Sequence, residues 1–195
     1  MMPFVPWTTA PAADAATLLH ALARGDTQAL AALYRQEAGA VYRYALALAG
    51  DAASAADATQ DAFVALAEKP GAFDASRGSL GAYLAGVARH GLLALWRRQG
   101  RAVEADEETL AGQPDDAPGP EQQLVQQQDL QALWAALRGL PWSQREAVVL
   151  VDLQGRPYAE AAQIAGCELN TLRTRVLRGR HRLATALGAG SGETR

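Results

Sequence analysis

Five arginines, Arg173, Arg175, Arg178, Arg180 and Arg182, fall within the last eleven residues of the stretch YAEAAQIAGCELNTLRTRVLRGRHRL (158–183), in a chain whose formal net charge is -3. Wound as a helix, this stretch puts Thr171, Thr174, Arg178 and His181 on one side, opposite Leu169, Leu172, Val176 and Leu183. Arg175 and Arg182 flank the polar side on one edge and Arg173 on the other. Side chains that reach base edges in the middle, with guanidinium groups for phosphates at the margins, are what a helix needs to lie in a DNA major groove. Taken alone, an arginine run is more simply a solvated helix face. The residues before it change that reading. YAEAAQIA is a run of helix formers, Gly166 makes a turn, and a second helix begins near Leu169, which is the helix-turn-helix pattern. Ala162 is small enough to let the two helices cross closely, and Cys167 reads as a small buried hydrophobe rather than a reactive thiol. The acidic net charge is no obstacle, because DNA meets local charge.

A second cluster surrounds the loop KPGAFDASRGSL (69–80). Phe73, Arg77 and Tyr83, with Arg89 and Arg97 on one face of the following helix, bring rings and cations together, as single-stranded nucleic acid requires for base stacking and phosphate contact. As bare residues, Phe73 and Tyr83 are more often core than stacking platform. Upstream, DAASAADATQDAFVAL (51–66) is an acidic amphipathic helix with Asp57, Gln60 and Asp61 on its polar side and Phe63 and Leu66 turned toward the bundle or a partner. Spacing alone would make this a solvated face.

The elements that hold these clusters should all be helices. Hydrophobic residues make up 49% of the chain but Phe, Trp and Tyr only 6%, and alanine and leucine lose little rotamer freedom in a helix. The expected fold is all-α: two small helical bundles joined by an acidic flexible linker, the C-terminal one containing the helix-turn-helix. The linker is EADEETLAGQPDDAPGPE (104–121), with seven acidic residues, no basic one, three prolines and two glycines. It separates a helical domain at 17–103 from another at 122–187, between flexible tails at 1–16 and 188–195, and is long enough for the two to act well apart. Within the second domain, Ser143 stands three residues before Glu146 at capping-box spacing, Gly155 and Pro157 punctuate the helices, and Trp134 and Trp142 read as packing residues.

No nucleophile with its base, phosphate-cradling glycine loop or metal-ligand spacing is visible, so neither enzymatic activity, nor a metal, nor any cofactor is expected. One cysteine excludes an internal disulfide framework, the first residues do not form a secretory signal, and no apolar run is long enough to insert in a membrane. A cytoplasmic location follows as the expectation.

The segment LPWSQREAVVLVDLQGRPYAEAAQIAGCELNTLRTRVLRGRHRL (140–183) resembles the C-terminal, promoter-reading domain of bacterial RNA polymerase sigma factors of the extracytoplasmic-function (ECF) group. Residues 33–101 resemble that group's other domain, in the right order. The resemblance implies that Asp57, Gln60, Asp61 and Phe63 dock on the clamp helices of core RNA polymerase. It implies that Phe73, Arg77, Ser79, Tyr83, Arg89, His90 and Arg97 capture unpaired bases of the minus-10 promoter element. Thr171, Arg173, Thr174, Arg175, Arg178 and Arg182 would then read minus-35 duplex, and an anti-sigma factor would hold the protein inactive. The chain departs from the family pattern at His90, commonly Asn, Tyr83, commonly Trp, and Ala94, commonly Asp, which bears on promoter preference. Two other readings use the same residues: a helix-turn-helix regulator that binds a palindrome without polymerase, and a sigma mimic that sequesters an anti-sigma factor.

Overall fold

The computed structural model describes residues 12–98 and 124–190, and all of the regular structure among them is helical. The first half comprises α1 (Ala12–Ala23), α2 (Thr27–Ala49), α3 (Ala52–Glu68) and α4 (Leu80–Arg98), with two short 3-10 turns, Pro70–Ala72 and Ala75–Arg77, between α3 and α4. The second comprises α5 (Leu124–Arg138), α6 (Trp142–Val148), which runs on into a π-helical turn (Val149–Leu153), then α7 (Tyr158–Ala165) and α8 (Leu169–Gly190). The first helix begins before the domain boundary expected at residue 17, and α8 extends past the one at 187. The acidic linker lies outside the described residues.

Local sequence accounts for the helix ends. Asp26 accepts the Gln28 amide at 2.9 Å and Asp51 the Ser54 amide at 2.8 Å, each satisfying a first-turn N–H that the helix itself leaves open. The capping box expected of Ser143 and Glu146 does not form. Pro141 precedes the first residue of α6 and no side chain caps it, while Ser143 and Glu146 are both buried inside the helix.

The two halves are docked, an arrangement that the linker's length and composition left open. A single core cluster takes in Leu33, Val41 and Leu48 of α2, Leu84 and Leu92 of α4, and Trp142, Leu150, Ile164, Leu172 and Val176 of the second half. Each such fully buried leucine is worth about 1.5–3 kcal/mol over its exposed state. Docking is possible because α2 is lined on that side by Glu37, Ala40, Tyr44 and Leu48, all buried, at steps of three and four residues. Trp142 is a packing residue as expected, its ring 4.7 Å from that of Trp96 in an edge-on contact, whereas Trp134 is 38% exposed.

Candidate nucleic-acid interface

On α8 the stripe that buries is the one expected: Leu172 and Val176 are buried, Leu169 and Leu183 half-buried. Gly166 ends α7 in the left-handed region at φ 62°, where a side chain would be strained, and its N–H bonds Ala162 O and Gln163 O. Arg173, Thr174, Arg178, His181 and Arg182 are exposed, and Thr171 and Arg175 half-buried. Arg173 donates to Asn170 Oδ1 at 3.2 Å and Thr174 Oγ1 to the Asn170 carbonyl at 3.0 Å, so the first turn of α8 is internally braced. Arg180 is turned back onto its own bundle, its guanidinium donating to both carboxylate oxygens of Asp152 at 3.0 and 2.5 Å. That bidentate pair holds the guanidinium charged well beyond its ordinary range.

One residue on the buried stripe went unread in the sequence. Gly179 falls between Val176 and Leu183 in the same helical series, and a Cβ built there would stand 2.7 Å from Val148 Cγ2 and 3.2 Å from the Gln144 carbonyl. The absence of a side chain lets α8 approach α6 closely.

Around the loop, Phe73 and Tyr83 meet edge to face at 5.8 Å, both half-buried against the rim of the core. They are at once packed on the core and partly open to solvent. Asp74 accepts both Ser76 N and Ser76 Oγ, bonds that shape the turn and hold its carboxyl below the usual range. Arg77, His90 and Arg97 are exposed, and His90 Nδ1 lies 2.7 Å from the Gly86 carbonyl.

Arg89 and Ser79 are differently placed: both engage the second half. Arg89 Nε donates to Glu146 Oε1 at 2.6 Å, and the side chains are 16% and 1% exposed. Tyr44 Oη donates to the same oxygen at 2.8 Å. Burial works against the guanidinium charge, but the facing Glu146 carboxylate outweighs it and Arg89 is held above its ordinary value. Burial, with Glu146 adding to it, pushes the Tyr44 hydroxyl well up, so it stays a proton donor. Removing one partner from a pair this enclosed leaves the other charge uncompensated, at about 3–5 kcal/mol. Ser79 Oγ accepts the Ala82 amide at the start of α4 and donates to Glu160 Oε1 at 2.6 Å. Glu160 also takes Arg156 Nη1 at 2.7 Å, and burial draws the Arg156 guanidinium below its usual value despite that partner. Arg145 completes the seam: it donates to Leu48 O near the end of α2 and to Arg138 O and Leu140 O near the end of α5, where helix carbonyls lack partners of their own.

None of Glu146, Glu160, Arg145 and Tyr44 was legible as part of a site, although the i,i+4 spacing of Arg156 and Glu160 was available as a signal.

On α3, Asp57, Gln60 and Asp61 are exposed, while Phe63 is buried. Its ring lies 4.8 Å from Tyr34 of α2, which is half exposed and which the sequence did not single out. Tyr34, Phe63 and Val64 with Leu30, Gln60 and Glu68 line a largely apolar groove of about 690 Å³ between the two helices. Among the described residues no group of three His, Cys, Asp or Glu side chains converges on a point, and no helix is long and apolar enough to cross a membrane.

Comparison with known proteins covers both halves. Residues 33–102 match the family described as Sigma-70 region 2, and residues 130–183 the family described as Sigma-70, region 4. The ECF RNA polymerase sigma factor SigE of Mycolicibacterium smegmatis is 35% identical over 181 residues, covering 88% of this chain and 68% of the relative. The ECF RNA polymerase sigma factor EcfG of Rhodopseudomonas palustris is 31% identical over 144 residues, covering 74% and 77%. Among solved structures, the sigma factor RpoE from Bartonella quintana, in complex with the anti-sigma factor NepR, is similar with a TM-score of 0.61 at 29% identity, over 80% of this chain and 94% of that one. The fold is also that of CnrH in complex with the cytosolic domain of CnrY, with a TM-score of 0.67 at 22% identity over 90% and 98%.

Proposed function

The chain belongs to the ECF group of RNA polymerase sigma factors, and from that membership we propose how its surfaces divide the work of promoter recognition. The exposed Asp57, Gln60 and Asp61 of α3, with Phe63 and Tyr34 in the adjoining groove, dock on core RNA polymerase. The α8 face reads minus-35 duplex, with Arg173, Thr174 and Arg178 toward base edges, Thr171 beside them, and Arg175 and Arg182 on phosphates. Phe73, Arg77, Ser79, Tyr83, Arg89, His90 and Arg97 take the unpaired strand of the minus-10 element as polymerase opens it. Stacking on an aromatic ring returns about 1–3 kcal/mol per base, which offsets much of the few kcal/mol that unstacking costs. The chemistry of RNA synthesis belongs to the polymerase, and the protein works in the bacterial cytoplasm. By analogy with the complex of its relative RpoE, an anti-sigma factor holds it inactive.

The observation that supports this division most is the exposed polar centre and cationic margin of α8, on a chain matched by both sigma-factor regions in order. Run-off transcription with purified core polymerase and a promoter library tests it: transcripts that depend on the protein support the reading. Asp61→Arg should lose co-elution with core while keeping its helicity. Wild-type co-elution of that variant would count against the α3 surface.

A further inference from the structure

We propose that Arg180 is a further phosphate-binding group of the duplex-reading helix, kept out of use by Asp152. The acidic side chain then sets how strongly, and with what salt dependence, α8 holds DNA of any sequence. The inference rests on the reading of α8 as the helix that meets duplex.

Four arginines of α8 fall into two pairs. Arg175 and Arg182 are seven residues apart, and so are Arg173 and Arg180. Seven residues make almost two full helical turns, so each pair follows one edge of the exposed face, its members about 10 Å apart along the axis. A helix in the major groove has a phosphate backbone on either side, which a cationic pair on each edge matches. The edges are nevertheless unequal, because Arg180 Nε and Nη2 both donate to the Asp152 carboxylate, at 3.0 and 2.5 Å, and the Tyr158 side chain bonds the same guanidinium. Burial is not what withholds this cation: the Arg180 side chain is 53% exposed and that of Asp152 30%, so the guanidinium is open to a phosphate once the carboxylate is gone. The fork that grips a carboxylate is the one that would grip a phosphate. Asp152, in the π-helical turn that follows α6, belongs to the same chain and has no encounter to make.

Phosphates carry no sequence information, so an arginine released at this edge would raise affinity for every duplex alike and add nothing to discrimination. Asp152 thus keeps the sequence-independent part of binding small. Residence on DNA is left to depend on the base contacts of the exposed Arg173, Thr174 and Arg178 and on the polymerase that carries the chain.

The test is a double-mutant cycle on the full chain, with a random-sequence duplex pool and affinities read by fluorescence anisotropy between about 50 and 200 mM salt. Asp152→Ala should tighten binding at low salt and steepen the slope of log affinity against log salt by about 0.9, so that its advantage shrinks about threefold over that range. Arg180→Ala alone should keep the wild-type slope. Asp152→Ala combined with Arg180→Ala should return to that slope, which separates a freed cation from the mere loss of a negative charge. An unchanged slope in Asp152→Ala, or weaker binding at constant slope, would make the pair a brace for α8 and overturn the proposal. A flatter slope in Arg180→Ala would put Arg180 on phosphate already, and a steep slope that survives in the double variant would show that the gain is not its own; either result overturns the proposal too. Arg182→Ala separates these failures from that of the underlying reading: a flatter slope there sustains α8 as the duplex-binding helix, and wild-type binding removes it and the withheld arginine with it.

Discussion

Arg178 and Arg180 lie two residues apart on α8, yet Arg180 is clasped by Asp152 while Arg178 stands on the exposed face. Charge count therefore overstates what the helix offers DNA, and position decides each role. Arg178→Ala should cost about 1–3 kcal/mol of duplex affinity and relax preference at one base position. Arg182→Ala should weaken all sequences alike and reduce the salt slope by about one. Binding isotherms on matched and mismatched duplexes over a salt series measure both, and a uniform loss in both variants would refute the assignment. These exposed residues were legible from periodicity, because a helix fixes which side chains share a side. Arg89 was singled out on the same grounds, but its partner was not, since periodicity says nothing about what another element, over fifty residues away in the chain, brings up against it.

At the scale of the element, Gly179 sets two effects of opposite sign against each other. Alanine in a helix interior gains about 1 kcal/mol over glycine, but here its methyl would meet Val148 Cγ2 at 2.7 Å and the Gln144 carbonyl at 3.2 Å. Overpacking of this kind costs about 1–3 kcal/mol, and one of the two neighbours is backbone that cannot rotate away. Gly179→Ala should therefore lower the thermal midpoint and, by tilting α8 on α6, weaken duplex binding. Thermal unfolding followed by circular dichroism reads the first effect, and a raised midpoint would mean that α8 accommodates the methyl. Helix punctuation was readable where it depends on backbone: Gly155 and Gly166 both sit at positive φ beside the ends expected of them. The Ser143–Glu146 capping box was misread because its spacing is identical whether the glutamate turns back on its own helix or outward to Tyr44 and Arg89.

For the whole molecule, the change in composition at residues 104–121 divides the chain into halves, but nothing in it tells that they dock. The face responsible, Glu37, Ala40, Tyr44 and Leu48, mixes a carboxylate and a phenol with small apolar groups, and so carries no clean hydrophobic stripe. Docking also makes stability depend on pH. Burial holds the Glu37 carboxyl above its ordinary value, with Arg156 pulling it down and Glu160 pushing it further up. The folded state thus prefers Glu37 protonated, and its contribution is full below the ordinary carboxylate range and lost as pH rises through the elevated value. Thermal midpoints compared at about pH 5 and at neutrality should show a loss toward neutrality that Glu37→Gln reduces. A midpoint profile identical in the two proteins would remove Glu37 from the account.

The docked halves are parts of one covalent chain, joined through residues 99–123. Closure is accordingly a first-order event, with an equilibrium constant that dilution leaves unchanged. A partner that arrives by a second-order encounter shifts that constant only by as much as it binds the open form more tightly than the docked one. Raising the copy number of the protein multiplies open and docked molecules alike, so the proportion that is open is the same at any abundance of the chain.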